Sequence, residues 1–186
     1  MKKILENIIY GIDLSNNYLG KAVSWLTTGL VLLMCVDVFR RYFLGATTVA
    51  IIEMEWHLFA LTFLWSAGYT LQHDKHVRVD VFYNQYSEVQ KAWVNLIGSI
   101  LFLLPFCLVV IYTSYEFSLR SYLIHENSPN PGGLPARYFI KASILVGFVF
   151  LFLQSISLSL ASGMVILGWR KRIFVSLEEK GGEYNG

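Results

Sequence analysis

The residues of this chain that can do chemistry form a few small groups. Asp37 precedes Arg40 and Arg41 by three and four residues, a spacing that lets carboxylate and guanidinium meet on one helical face. Glu53 and His57 are four apart and share a face, while Glu55, two residues from each, points away from both. Acids on different faces need separate partners. Arg40 and Arg41 are expected to supply some, and charged residues of another subunit the rest. As chemistry, this group reads as an ion or proton site; as architecture, it reads as an ion-pair network that orients helices.

Other chemistries find less support. His73 and His76 straddle Asp74 beside Asp80, but no Cys/His framework surrounds them, so they read as solvated loop histidines and not as metal ligands. The two cysteines, Cys35 and Cys107, lie in apolar runs and read as packing residues. His57 is the one histidine in any long apolar run, which excludes a pair of axial haem ligands facing each other across a bilayer. There is no phosphate-binding loop, no nucleophile elbow and no H-E-x-x-H pair. Gly132 and Gly133 belong to Asn127-Ser-Pro-Asn-Pro-Gly-Gly-Leu-Pro135, whose prolines and glycines mark a rigid surface loop. Neither an enzyme nor a cofactor is expected.

The elements that must position these residues follow from composition. Of the 186 residues, 55% are apolar and only 15% charged, against about 45–50% and about 25% in soluble domains. The apolar residues gather in four runs, 22–39, 50–71, 92–115 and 139–169. Each is long enough to cross about 30 Å of hydrocarbon as a helix, and none alternates as a barrel strand would. The fold class is therefore all-α, a single integral membrane domain over 1–186 with four spans and a tail over 170–186. Residues 1–21 carry Ile4, Leu5, Ile8, Ile9 and Ile12 at helical spacing, with Lys3, Glu6, Asn7 and Asp13 mostly elsewhere. That pattern fits a helix lying on the cytoplasmic membrane surface, or equally an extension of the first span. Of the 15 Lys and Arg, ten fall on the side of the termini and five on the other, which places both termini in the cytoplasm. These charges serve as topology signals, and nothing resembles a nucleic-acid stripe.

The centres of the spans lack ionisable residues, whereas proton relays continue through a bilayer, so the network reading of Asp37, Arg40, Arg41, Glu53 and Glu55 is favoured. In the fourth span Ser155, Ser159 and Gly163 repeat every four residues, and Ser143 and Gly147 form another such pair; both stripes are expected to pack helices closely. Pro105 should kink the third span. Trp25, Trp56, Trp93 and Trp169 lie near span ends as interfacial anchors.

The segment from Arg40 onward reads Arg-Arg-Tyr-Phe-Leu-Gly, then Glu53-Met-Glu-Trp-His57, Leu64-Trp-Ser-Ala-Gly-Tyr-Thr-Leu-Gln-His73 and Asp74-Lys-His-Val-Arg-Val-Asp80. That order resembles the small membrane subunit, DctQ type, of tripartite ATP-independent periplasmic (TRAP) transporters. Gly133-Leu-Pro-Ala-Arg-Tyr-Phe-Ile-Lys141, before the last span, is similar to the family as well. The resemblance runs from about Val36 to Leu160, and its most specific element is the motif of His76, Arg78 and Asp80 at the cytoplasmic end of the second span. Where the family has a Trp-x-x-Glu-Glu-like opening, this chain has its acids before Trp56; Glu55 is carried over first to the family's acidic position and Glu53 second.

The resemblance implies a multi-pass protein of the bacterial cytoplasmic (inner) membrane. Its partners would be a large M-type membrane subunit, a periplasmic substrate-binding protein and membrane lipids. Uptake of an organic anion would be driven by an ion gradient, sodium in the family, and this subunit would scaffold the large one. The alternative is a self-sufficient homo-oligomeric transporter or channel using Asp37, Glu53 and Glu55; an assembly factor or receptor without transport is a third reading.

Overall fold

A computed structural model of the chain describes residues 2–74, 83 and 85–175. The described residues form four long helices: α1 (Lys2–Phe43), α2 (Val49–Gln72), α3 (Glu88–Leu123) and α4 (Tyr138–Ile166). All four are long and apolar enough to cross a membrane. Helix α4 is the centre, packing on α1, α2 and α3, while α3 joins the others through α4. The first turns of α1 and the described segment beyond α4 lie at one end of the bundle, termed the termini end, where Ile9 and Asp13 of α1 and Ile173 line one cleft. The α1–α2 turn and the α3–α4 loop form the opposite, turn end.

Helix α1 is continuous over 42 residues, about 63 Å at 1.5 Å per residue, twice what the hydrocarbon requires. Of the two expectations for residues 1–21, the extension of the first span is the one seen: the segment is the first half of this helix, and it packs into the bundle. Ile9, Asp13, Asn16 and Gly20 are all buried. From Ser24 to Leu44, by contrast, Asp37 alone is buried.

The buried residues of α3 are Ala92, Ser99, Cys107, Ser114 and Ser121. They are all small, and they make a heptad seam facing α4 with one step of eight. Eight residues of ordinary α-helix would carry the next position about 80° off the seam. The extra residue is absorbed by a π turn at Ser99–Leu103, where the Leu104 N–H reaches back to the Ser99 carbonyl. The π turn ends two residues before Pro105, whose missing N–H leaves the helical ladder open there. Pro105 is thus accommodated by a local π turn that restores the seam.

Glycines set the close approaches. A Cβ on Gly147 would lie 2.8 Å from the Leu64 carbonyl oxygen, and one on Gly20 would strike the Tyr69 ring. Nearby, the Trp65 indole donates to the Ser143 carbonyl at 3.1 Å, tying mid-α2 to α4. The stripe of Ser155, Ser159 and Gly163 divides. Ser155 is fully buried, Ser159 is half-buried, and Gly163 has open space where a Cβ would stand, so Gly163 makes no close helix approach among the described residues.

Helix α4 ends at Ile166, three residues before the expected limit of the span. Gly168 takes φ 72, and the N–H groups of Gly168 and Trp169 bond the carbonyls of Val165 and Met164 at 3.0 and 2.9 Å. This paired closure satisfies two orphan carbonyls of the last turn and requires a residue at ease with positive φ.

Candidate functional site

At the turn end, the α3–α4 loop is built around Glu53. The carboxylate is 4% exposed. Oε1 accepts from the Ser128 hydroxyl and, at 3.2 Å, from Asn130 Nδ2, while Oε2 accepts the Leu134 N–H at 2.7 Å. The loop closes on itself through Ser128 N–H to the Leu134 carbonyl and Gly133 N–H to the Asn130 carbonyl. Gly133 passes so close that a Cβ there would lie 2.3 Å from Ser128 Oγ and 2.8 Å from Glu53 Oε2. The Arg137 guanidinium lies over the Trp56 ring, 5.9 Å from its centroid. His57 Nδ1 faces the Glu53 carbonyl one turn earlier.

Asp37 does the same for the α1–α2 turn. It is 2% exposed, takes Arg41 on Oδ2 and accepts the Thr47 hydroxyl on Oδ1 at 2.8 Å. Gly45, at φ 61, carries the chain out of α1, and the Arg40 carbonyl accepts from the N–H groups of Leu44 and Ala46. Arg41 therefore serves Asp37, and the donors to Glu53 come from the loop. The expectation that Arg40 and Arg41 would partner the acids of α2 is corrected, because a loop 75 to 81 residues later in the chain reaches Glu53. Glu55 is half-buried and has no hydrogen bond or ion pair among the described residues. Glu53, placed second by the sequence, is the acid that holds the bonded position.

A third acid fastens the loop's flanks. Glu126 pairs with Lys141 of the first turn of α4, and the Arg137 N–H bonds the Glu126 carbonyl at 2.8 Å. The Lys141 ammonium holds the Glu126 carboxyl below its ordinary range. Lys141 also sits over the Phe117 ring, 4.0 Å from its centroid.

The termini end holds a polar cluster that the sequence reading missed. Asp13, which the periodicity sets mostly apart from the apolar positions of this segment, is 4% exposed. Its Oδ1 accepts from Gln154 Nε2 at 2.9 Å and from Ser157 Oγ at 2.8 Å, while Asn16 Nδ2 donates to Gln154 Oε1 at 3.0 Å. Asn16 Oδ1 lies against Gly68, where a Cβ would meet it at 2.2 Å. The available signal was in α4: Gln154, Ser155 and Ser157 are polar residues at the middle of an apolar helix, which requires partners. The motif residues His76, Arg78 and Asp80 lie outside the described residues, as does the chain beyond Val175.

Buried carboxylates at both ends bind the chain to itself. Large apolar side chains face outward between them, among them Trp25, Leu32, Phe63, Phe102 and Val109. This arrangement can hold helices and loops in fixed register and can cover or be covered by other apolar surfaces. Residues 30–165 match the model of a protein family described as tripartite ATP-independent periplasmic transporters, DctQ component. No curated protein matches the chain.

Proposed function

The chain belongs to the DctQ component family of the tripartite ATP-independent periplasmic transporters, and we propose that it is the static scaffold of such a transporter. In this reading it is a single four-helix domain of a bacterial inner membrane with both termini in the cytoplasm. It packs against a large M-type subunit and holds that subunit's fixed part still while a transport domain moves. The solute is an organic anion delivered by a periplasmic binding protein, and sodium supplies the driving gradient.

The observation that carries the scaffold reading is the occupancy of the acids. Glu53 accepts three hydrogen bonds and Asp37 two from donors of the same chain, so neither is free to carry an ion or proton through a cycle. The same occupancy weighs against Asp37 and Glu53 as carriers in a self-sufficient homo-oligomeric transporter; it does not extend to Glu55, the third acid of that alternative, which has no hydrogen bond or ion pair among the described residues. In proteoliposomes, the purified chain alone should show no sodium-driven uptake. Uptake should appear on adding the large subunit and the binding protein. Flux by the small subunit alone would sink the scaffold reading.

A further inference from the structure

We infer that residues 169–173 form a strap that binds the headgroup phosphates of anionic phospholipids in the leaflet facing the chain termini. The strap is seated at both ends. Beyond Gly168 the Trp169 side chain packs back on the apolar core. Four residues later Ile173, 4% exposed, enters the same cluster as Ile9, Leu158 and Ala161. Between the two seats run Arg170, Lys171 and Arg172, with Lys171 and Arg172 exposed.

Ion pairs occupy several of the chain's other cations, whereas Lys171 and Arg172, like Lys3 and Lys21, stand outside them, and Lys171 and Arg172 are the ones held between two apolar seats. At the turn end Arg41 faces Asp37, Arg120 faces Glu116 and Lys141 faces Glu126; at the termini end Lys2 faces Glu6 and Lys91 faces Glu88. Lys171 and Arg172 have no ion pair among the described residues. A freely solvated tail could move such charges away from the membrane. Here the two apolar seats hold the backbone across the end of a membrane-spanning helix, so the cations stay within one short segment of the headgroup layer. An interfacial indole beside them sets the same depth. A Lys or Arg at an anionic surface gains about fivefold in partitioning, so two unpaired cations favour an anionic over a zwitterionic neighbour by up to about 25-fold. The inference does not depend on the transporter reading.

The test uses the full chain with Trp25, Trp56, Trp65 and Trp93 changed to Phe, leaving Trp169 as the fluorophore, in phosphatidylcholine vesicles. Brominated phosphatidylglycerol should quench Trp169 at a several-fold lower mole fraction than brominated phosphatidylcholine. The pair K171Q/R172Q should bring the two lipids level. Equal quenching by both lipids in the chain with Lys171 and Arg172 intact overturns the strap. Loss of the preference on adding millimolar inorganic phosphate at constant ionic strength also overturns it, because the site would then take a soluble anion. If the four-Phe chain fails to fold, native mass spectrometry of the otherwise unaltered chain replaces it. Retained phosphatidylglycerol adducts should fall several-fold in K171Q/R172Q, and unchanged retention counts against the proposal.

Discussion

The carboxylate of Glu53, in the second turn of α2, accepts the backbone N–H of Leu134 at 2.7 Å across 81 residues of sequence. Any substitution at Leu134 except proline keeps the backbone donor, and proline also fixes φ, so the contact is best tested from the acid. Glu53→Gln leaves one oxygen and turns the other acceptor into a donor, which then confronts the N–H or hydroxyl it replaced. Amide hydrogen exchange at residues 128–134 should rise strongly in Glu53→Gln and stay unchanged in Glu55→Gln. Equal protection in both variants would mean that the loop does not depend on Glu53.

Gly133 gives an independent approach to the same contact. Its missing Cβ leaves the space through which the loop reaches Glu53, so Gly133→Ala should reproduce the exchange pattern of Glu53→Gln without altering any charge. Gly163→Ala is the matched control, since nothing lies within 4 Å of a Cβ there, and it should hold or slightly raise thermal stability because Ala is the better helix former. Gly147→Ala presses on the Leu64 carbonyl oxygen and should cost about 1–3 kcal/mol, the range of overpacked sites, read from thermal unfolding in detergent.

The four helices were legible because hydrocarbon forces every backbone group to bond within its own segment, and only long apolar runs can do so. The Gly147 approach was legible from small-residue spacing. The role of Glu53 was not, because its partners lie in a loop whose path depends on positive φ at Gly132 and Ala136 and on hydrogen bonds across α2. Asp13 was misplaced for a related reason. Its helical face was judged on local periodicity, whereas its burial follows from Gln154 and Ser157 on a helix more than 140 residues away. The α3 seam was hidden by its own step of eight, which breaks the heptad in sequence and is repaired only in three dimensions.

That repair can be tested by deletion. Removing Leu101 from the π turn together with Pro105→Ala should convert the step of eight into an ordinary seven and keep Cys107, Ser114 and Ser121 on the face toward α4. Removing Val109 instead rotates Ser114 and Ser121 by about 100° and should abolish folded protein in size-exclusion chromatography. If both deletions behave alike, the π turn is not what keeps the seam in register.

The Glu126–Lys141 pair makes a pH prediction with a definite sign. The folded carboxyl titrates below its ordinary value of 4.5, so its contribution to stability is fully present above that value and is lost as the pH falls through the lower folded one. At pH 7 the unaltered chain should melt above Glu126→Gln. The difference should persist to about pH 5 and shrink on further acidification. A difference that instead grew below pH 4 would mean that the pair does not favour the charged carboxylate.

The Asp13–Gln154 contact fixes the register of α1 against the central helix, and its energetic test must separate a bond from a packing effect. Removing the acid in Asp13→Ala leaves the Gln154 amide and the Ser157 hydroxyl as buried donors without their acceptor, a loss of about 1–3 kcal/mol for an unsatisfied group. Gln154→Ala strands Asn16 Nδ2 as well, because that amide donates to Gln154 Oε1. If the two side chains act through each other, the double variant should be less destabilised than the sum of the singles, by about 0.5–3 kcal/mol for residues in one network. The same cycle between Asp13 and Asp37, at opposite ends of α1, should be additive within about 0.5 kcal/mol. Strong coupling between those ends would show that α1 transmits strain along its length; additivity would show that each carboxylate fastens its own end of the bundle.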